Sequence, residues 1–149
     1  MILKILNDKN PILRKICAKV EKPSAYSSLA LSMLTTMKSY KALGLAANQV
    51  GHSLCIIALD TPDYSGIMFN PEILEKSEEK YRFTEGCLSI KNTYIDLEVR
   101  SKTIKVRWQD KDGSYNEKEF NDLTSVVIQH EIDHLLGITM TQYKDKNGS

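Results

Sequence analysis

Two histidines four residues apart, His130 and His134, lie inside Leu123 to Leu136, a stretch whose apolar spacing predicts a helix. Gly137 stands where a C-cap glycine would close it, and Asp122 where an N-cap would open it. Four residues only slightly exceed one turn, so both rings leave the helix on one face and can meet on a single metal ion. Glu131 sits about 100° around the axis from His130, within reach of a water on that ion. His130-Glu131-Ile132-Asp133-His134 therefore fits H-E-x-x-H. A helix with two ordinary histidines is the plain alternative, but the chain has only 3 histidines and two of them take this spacing. Asp133 reads as a solvated helix-surface charge unless it orients a ligand.

A catalytic metal site of this kind has three protein ligands and one open position for water, so a third ligand must be found. Downstream, the longer metzincin pattern needs histidine at 140, where the chain has Met140, although Gly137 falls on its glycine. A thermolysin-like glutamate is also missing, since Asp145 is the sole acid after His134. The upstream candidates are His52, Cys17, Cys55 and Cys87. Cys17 and Cys55 lie in apolar surroundings and read as packing residues. His52 follows Gly51 in a turn, where a histidine needs no special explanation. Cys87 sits between Gly86 and Leu88 in Thr84-Glu85-Gly86-Cys87-Leu88-Ser89, read as irregular backbone that a ligand could approach closely, and is favoured on that ground.

The rest of the chain predicts what surrounds this helix. A first helix is expected from Ala25 to Lys41, with Ser24 as its N-cap. Strands are expected at Leu54 to Leu59, Ile67 to Asn70 and Ile95 to Val99. Two more, Thr103 to Trp108 and Tyr115 to Phe120, would be joined by Asp110-Lys111-Asp112-Gly113, which is hairpin chemistry. Helices flanking a strand-rich middle argue for α+β architecture, with antiparallel sheets packed around a central helix that carries H-E-x-x-H. No repeat or linker divides the sequence, so residues 1–149 read as one domain. With 20 Lys+Arg against 19 Asp+Glu, no basic excess points to nucleic acid. The longest apolar run, Leu54 to Leu59, is far too short for a membrane span, and charge comes too early at the N-terminus for a signal peptide. A cytoplasmic protein is expected, and the odd count of 3 cysteines suits reduced thiols.

Three separated motifs resemble the peptide deformylases. They are Gly44-Leu45-Ala46-Ala47-Asn48-Gln49 for most of GxGxAAxQ, Glu85-Gly86-Cys87-Leu88-Ser89 for EGCLS, and Gln129-His130-Glu131-Ile132-Asp133-His134 for QHExDH. The similarity extends over nearly the whole chain. It implies a metallohydrolase that removes the formyl group from the N-terminal formyl-methionine of newly made proteins, releasing formate. It further implies that Cys87, His130 and His134 hold one divalent metal, Fe²⁺ in the cell, with Zn²⁺, Ni²⁺ or Co²⁺ able to substitute. Glu131 would be the general base and acid. The Gln49 side-chain amide and the Leu88 backbone N–H would face the developing oxyanion. Leu43, Phe83, Val126 and Val127 would line the methionine pocket, while Gly44 and Gly86 would let the substrate backbone lie close.

The chain departs from the family's pattern at three places. Ala42 replaces the first glycine of GxGxAAxQ, and Lys91 stands where the family usually has proline. Residues 138–149 are also too few for the long C-terminal helix that many bacterial members use near the ribosome exit. The resemblance is thus to a short form, acting as a monomer on formyl-methionyl nascent chains in a bacterial or phage-infected cell. A metallopeptidase cutting internal bonds, or a catalytically silent metal-binding or peptide-binding module, would be the competing readings.

Overall fold

The computed structural model describes residues 1–147, the side chains of 144–147 excepted. The architecture is mixed α+β, with antiparallel sheets and two α-helices. Among the described residues seven strands form in chain order: β1 (Gly44–Ala46), β2 (Ile56–Thr61), β3 (Tyr64–Lys76), β4 (Phe83–Cys87), β5 (Ile90–Leu97), β6 (Thr103–Gln109) and β7 (Tyr115–Asn121). The helices are α1 (Ser27–Ser39) and α2 (Asp122–Leu135). Five strands make one sheet in the order β1-β2-β3-β6-β7, and β4 pairs with β5 as a separate ribbon.

The six-residue apolar run at Leu54 to Leu59 becomes intelligible once both faces of β2 are covered. Successive side chains of a strand point to opposite faces. Ile57 and Leu59 join Met68, Ile104, Val106, Trp108 and Phe120 against Val127, Ile128 and Leu135 of α2. Ile56 and Ala58 turn the other way and pack with Leu45 and Phe69 against Ala30, Met33 and Met37 of α1. At about 25 cal/mol per Å² of apolar surface, two buried faces in one strand anchor the sheet firmly between the helices.

Several expected boundaries shift for local reasons. The first helix was expected from Ala25 with Ser24 as its cap. Instead Pro23 opens a 3₁₀ turn, Pro23–Tyr26, and α1 begins at Ser27. Ser24 caps nothing; its carbonyl accepts from Ser27 Oγ at 3.1 Å. Asp122 is not an N-cap either: it is the first residue of α2, at φ 54°, with Asn121 at the cap position. The strand expected at Ile67 to Asn70 runs on as β3 through Pro71, because a bulge between Phe69 and Glu72 takes up a residue that cannot donate to the ladder. The strand expected at Ile95 to Val99 instead spans Ile90–Leu97. The hairpin between β6 and β7 forms as expected, with the Asp110 N–H donating to Ser114 O at 2.9 Å and Gly113 at φ 87°. Among the described residues no helix is long and apolar enough to cross a membrane.

Candidate metal centre

His130, Glu131 and His134 all lie in the buried C-terminal half of α2. The end of that helix is held at fixed depth. Gly137, at φ 77°, lets its own N–H donate to His134 O at 3.1 Å and the Ile138 N–H donate to Asp133 O at 2.9 Å. That pair of bonds is a Schellman close, at the glycine expected to take the C-cap position. Asn48 adds a third restraint, its Nδ2 donating to His134 O at 2.7 Å. The imidazole rings of His130 and His134 stand with centroids 5.1 Å apart.

Cys87 reaches these rings from the end of β4. The segment around it, expected to be irregular, is a strand with one defect: Gly86 pairs with Tyr94, but the next residue, Cys87, pairs with Ile90. The ribbon thus turns tightly through Leu88 and Ser89, while Lys91, Asn92 and Thr93 are looped out, with Asn92 at φ 57°. The thiol is carried into the site by this shift. One ligand atom from each of Cys87, His130 and His134 lies within 4.8 Å of the others, and among the described residues no other group of three or more His, Cys, Asp or Glu does this. Cys87 Sγ is 3.4 Å from His134 Nε2. Two ligands sharing one tetrahedral cation at ordinary bond lengths are separated by about 3.5 Å, so the donor set fits a metal. His52, Cys17 and Cys55 belong to no such group. Cys17 is buried, and the Cys55 thiol is pushed up to about 11 by burial and the neighbouring Cys17.

The second layer contains residues to which the sequence reading gave no role. His130 Nδ1 lies 2.8 Å from Glu85 Oε1, leaving Nε2 for a metal. Glu85 is buried and clamped by Arg100, whose Nε and Nη2 each donate to it at 2.9 Å. Burial would raise the Glu85 pKa, but hydrogen bonds from His130 and Arg100 and their charges overcome it and hold it at about 2. Asp133, read from sequence as a solvated charge, instead pairs with Arg100 Nη1 and accepts from Tyr143 Oη at 2.7 Å. Gln129 locks the adjoining backbone, accepting from the Ser101 N–H at 3.0 Å and donating to Ser101 O at 2.8 Å. Glu85 and Gln129 were visible as motif letters, whereas Arg100 had no signal beyond its charge.

In the chain by itself the two imidazoles are pushed apart. Burial disfavours a charged His130, yet the Glu131 carboxylate and hydrogen bonds to Cys87 and Glu85 outweigh it and lift its pKa to about 10. His134 is held well below the usual range by burial and by the neighbouring His130 and Arg100 charges. Burial raises Glu131 to about 7 against the opposing pull of His130 and Arg100. Its Oε1 is buried without a hydrogen-bond partner among the described residues, as a group waiting for a water or a substrate proton would be.

Gly44 explains how that carboxylate fits. A Cβ at this position would come within 2.6 Å of Glu131 Oε2 and 2.9 Å of Val127 Cγ1. The space beside Gly44 is therefore taken by Glu131. At Gly86 a Cβ would meet the Tyr94 ring at 2.8 Å, so an aromatic from the paired strand covers that glycine. Neither glycine has a positive φ, which removes turn geometry as their reason.

Gln49 sits in a 3₁₀ turn, Ala47–Val50, directly after β1. Its Oε1 accepts from the Ala46 N–H at 2.9 Å, which fixes the amide so that Nε2 faces Ser89 Oγ at 3.1 Å and Cys87 Sγ at 3.5 Å. The N-terminal segment braces both loops: the Leu6 N–H donates to Gln49 O at 2.7 Å and the Asp8 N–H to Ser89 O at 2.8 Å. Leu43, Gly44, Phe83, Gly86, Val126 and Val127 line a cleft of about 520 Å³, into which Cys87, Leu88, Gln49, His130 and Glu131 also open. Ala42 and Lys91, the two departures in the motifs, lie on its wall. His134 is fully buried behind it. The cleft thus brings together two candidate ligands, Cys87 and His130, a buried carboxylate and a fixed amide donor, with the third ligand, His134, buried behind them.

The polypeptide deformylase family model matches residues 2–148. A peptide deformylase of Bartonella tribocorum is 39% identical over 142 residues, covering 90% of this chain and 79% of the relative. The crystal structure of the Thermotoga maritima peptide deformylase superposes with a TM-score of 0.91 at 36% identity, covering 95% of this chain and 97% of that one. The enzyme of Vibrio parahaemolyticus bacteriophage VP16T, solved with actinonin, gives a TM-score of 0.88 at 35% identity, covering 93% and 100%.

Proposed function

The chain belongs to the peptide deformylase family, and from that premise we propose how its own residues carry the family's reaction. Peptide deformylases are metal-dependent hydrolases that remove the N-formyl group from newly synthesised proteins, and this is the activity of the chain. Cys87 Sγ and one ring nitrogen each of His130 and His134 are the proposed ligands. A cation held there would supply Lewis acidity, drawing the pKa of water towards neutrality.

Glu131 takes the proton from the attacking water at its unpartnered Oε1. As a C–O bond forms at the formyl carbon and the C–N bond breaks, Glu131 returns that proton to the departing amine, leaving formate and a free N-terminal methionine. A buried carboxylate with an oxygen free of hydrogen-bond partners among the described residues can serve both halves of that exchange. The Gln49 Nε2 and the Leu88 backbone N–H are the proposed donors to the oxygen that gains charge. The apolar side chains of Leu43, Phe83, Val126 and Val127 are the proposed methionine pocket, with Gly44 and Gly86 beside the substrate backbone.

α2 is read as the central helix carrying H-E-x-x-H, within a single domain of residues 1–149. Two imidazoles and a thiolate accept several divalent ions, and Fe²⁺ is proposed for the cell, with Zn²⁺, Ni²⁺ or Co²⁺ as substitutes. A monomer working in the cytoplasm on nascent chains is the simplest setting for that substrate.

The observation that carries this reading is the meeting of one thiol and two imidazoles within 4.8 Å. Anaerobic incubation with formyl-Met-Ala-Ser, with formate measured with and without Fe²⁺, tests it. Metal-dependent release, abolished in Glu131→Ala, is expected. No release under any metal would favour the silent binding module instead.

A further inference from the structure

We propose that Tyr143 is a positioning residue for the metal centre, acting through Asp133, Arg100 and Glu85 on the ring of His130. The inference rests on Cys87, His130 and His134 being the ligand set. Tyr143 does not line the cleft and comes from the 3₁₀ segment Met140–Asn147, which packs against β5.

Arg100 is the joint of this relay. Its guanidinium is fixed from three directions: a two-pronged donation to Glu85, an ion pair from Nη1 to Asp133, and the Tyr143 ring stacked 4.9 Å from Cζ. A planar fork matches a carboxylate in one orientation only, so the face-on ring and the second carboxylate decide which orientation the first receives. Tyr143 controls both. Its ring covers the guanidinium, and its hydroxyl donates at 2.7 Å to Asp133 Oδ2, the same oxygen that accepts from Arg100. At the other end, Glu85 Oε1 accepts from Arg100 Nη2 at 2.9 Å and lies 2.8 Å from His130 Nδ1. A turn of the guanidinium is therefore felt at the imidazole.

The relay also joins separate parts of the chain. Glu85 belongs to β4, His130 and Asp133 to α2, and Arg100 to the link between β5 and β6. Tyr143 is the contribution of the C-terminal segment. Removing a partner in direct contact with a ligating histidine typically weakens metal binding by about 10- to 100-fold. Three contacts further out, loss of the Tyr143 hydroxyl should cost less, about 3- to 10-fold.

The test compares wild type, Tyr143→Phe, Glu85→Gln and the double variant. Zn²⁺ affinity is measured by competition with a chromophoric chelator, and the Co²⁺-loaded proteins by visible absorption. Tyr143→Phe keeps the ring and should preserve the thermal midpoint of the metal-free protein. It is expected to weaken Zn²⁺ by that factor, to shift the Co²⁺ ligand-field bands, and to lower kcat on formyl-Met-Ala-Ser at constant KM. In the Glu85→Gln background it should weaken Zn²⁺ no further. Wild-type affinity and spectrum in Tyr143→Phe would overturn the proposal, as would full additivity with Glu85→Gln. A wild type that binds metal, loses affinity in Tyr143→Phe and yet releases no formate would support the relay and overturn the reading of the activity. A wild type that binds no metal would overturn both.

Discussion

Gly44 leaves no room for a side chain beside Glu131, because a methyl group at 44 would sit 2.6 Å from the carboxylate. Gly44→Ala is expected to displace Glu131, reducing kcat by at least tenfold, while overpacking costs about 1 to 3 kcal/mol in a thermal melt. Gln49→Leu should lower kcat by about 10²- to 10³-fold, since one oxyanion donor is worth about 2.7 to 4 kcal/mol, while metal content by mass spectrometry stays stoichiometric. Near-normal turnover in that variant would remove Gln49 from the mechanism. At this scale the sequence was legible wherever the residue type was scarce. Cys87, His130 and His134 were found because thiols and imidazoles are few and their spacing is chemically restrictive. Glu85 and Arg100 escaped because acids and bases are common and only burial distinguishes this pair. Asp133 was misread as a surface charge for the same reason: its partners, Arg100 and Tyr143, lie 33 and 10 residues away in sequence.

Among the elements, the close of α2 determines the depth of His134. Gly137 holds a left-handed φ of 77°, and a Cβ there would lie 2.6 Å from Arg14 O. Gly137→Ala should therefore destabilise the fold by more than the roughly 1 kcal/mol of a left-handed φ alone, seen as a lowered thermal midpoint, and should weaken metal retention with it. An unchanged midpoint would show that the Arg14 backbone yields easily. The end of this helix was readable because helix stops have strong residue preferences. The ribbon of β4 and β5 was only half readable. Its register shift at Cys87 depends on tertiary pairing, and neither Gly86 nor the looped-out Lys91, Asn92 and Thr93 announces it by periodicity. β1 has only three residues, too short for an alternation to show. β3 hid behind Pro71, which usually ends a strand and here is absorbed by a bulge.

The whole molecule places one sheet between two helices and then fastens a ribbon to it through buried charge. That arrangement makes acid stability a property of the metal centre's second layer. Glu85 has a folded pKa of about 2 against an ordinary value of 4.5, so its ionised form stabilises the fold above pH 4.5 and that contribution is lost as pH falls towards 2. Thermal midpoints of the metal-free protein should drop across this window, and Glu85→Gln should flatten the drop while lowering the midpoint at neutral pH. A slope unchanged in Glu85→Gln would assign acid sensitivity to other groups. Fold class was legible at this scale from the apolar run of β2 and the flanking helices, but the fastening was not, since burial of Arg100 and Glu85 follows from the assembled fold.

The central claim is that one sulfur and two imidazole nitrogens converge on a single cation. X-ray absorption of the Zn²⁺-loaded protein measures that coordination directly. The account predicts one sulfur at about 2.3 Å and two imidazole nitrogens at about 2.0 to 2.1 Å, with a light-atom solvent ligand completing four, and loss of the sulfur shell in Cys87→Ala but not in Cys17→Ala or Cys55→Ala. A first shell without sulfur in the wild type, or one that survives Cys87→Ala intact, would contradict it.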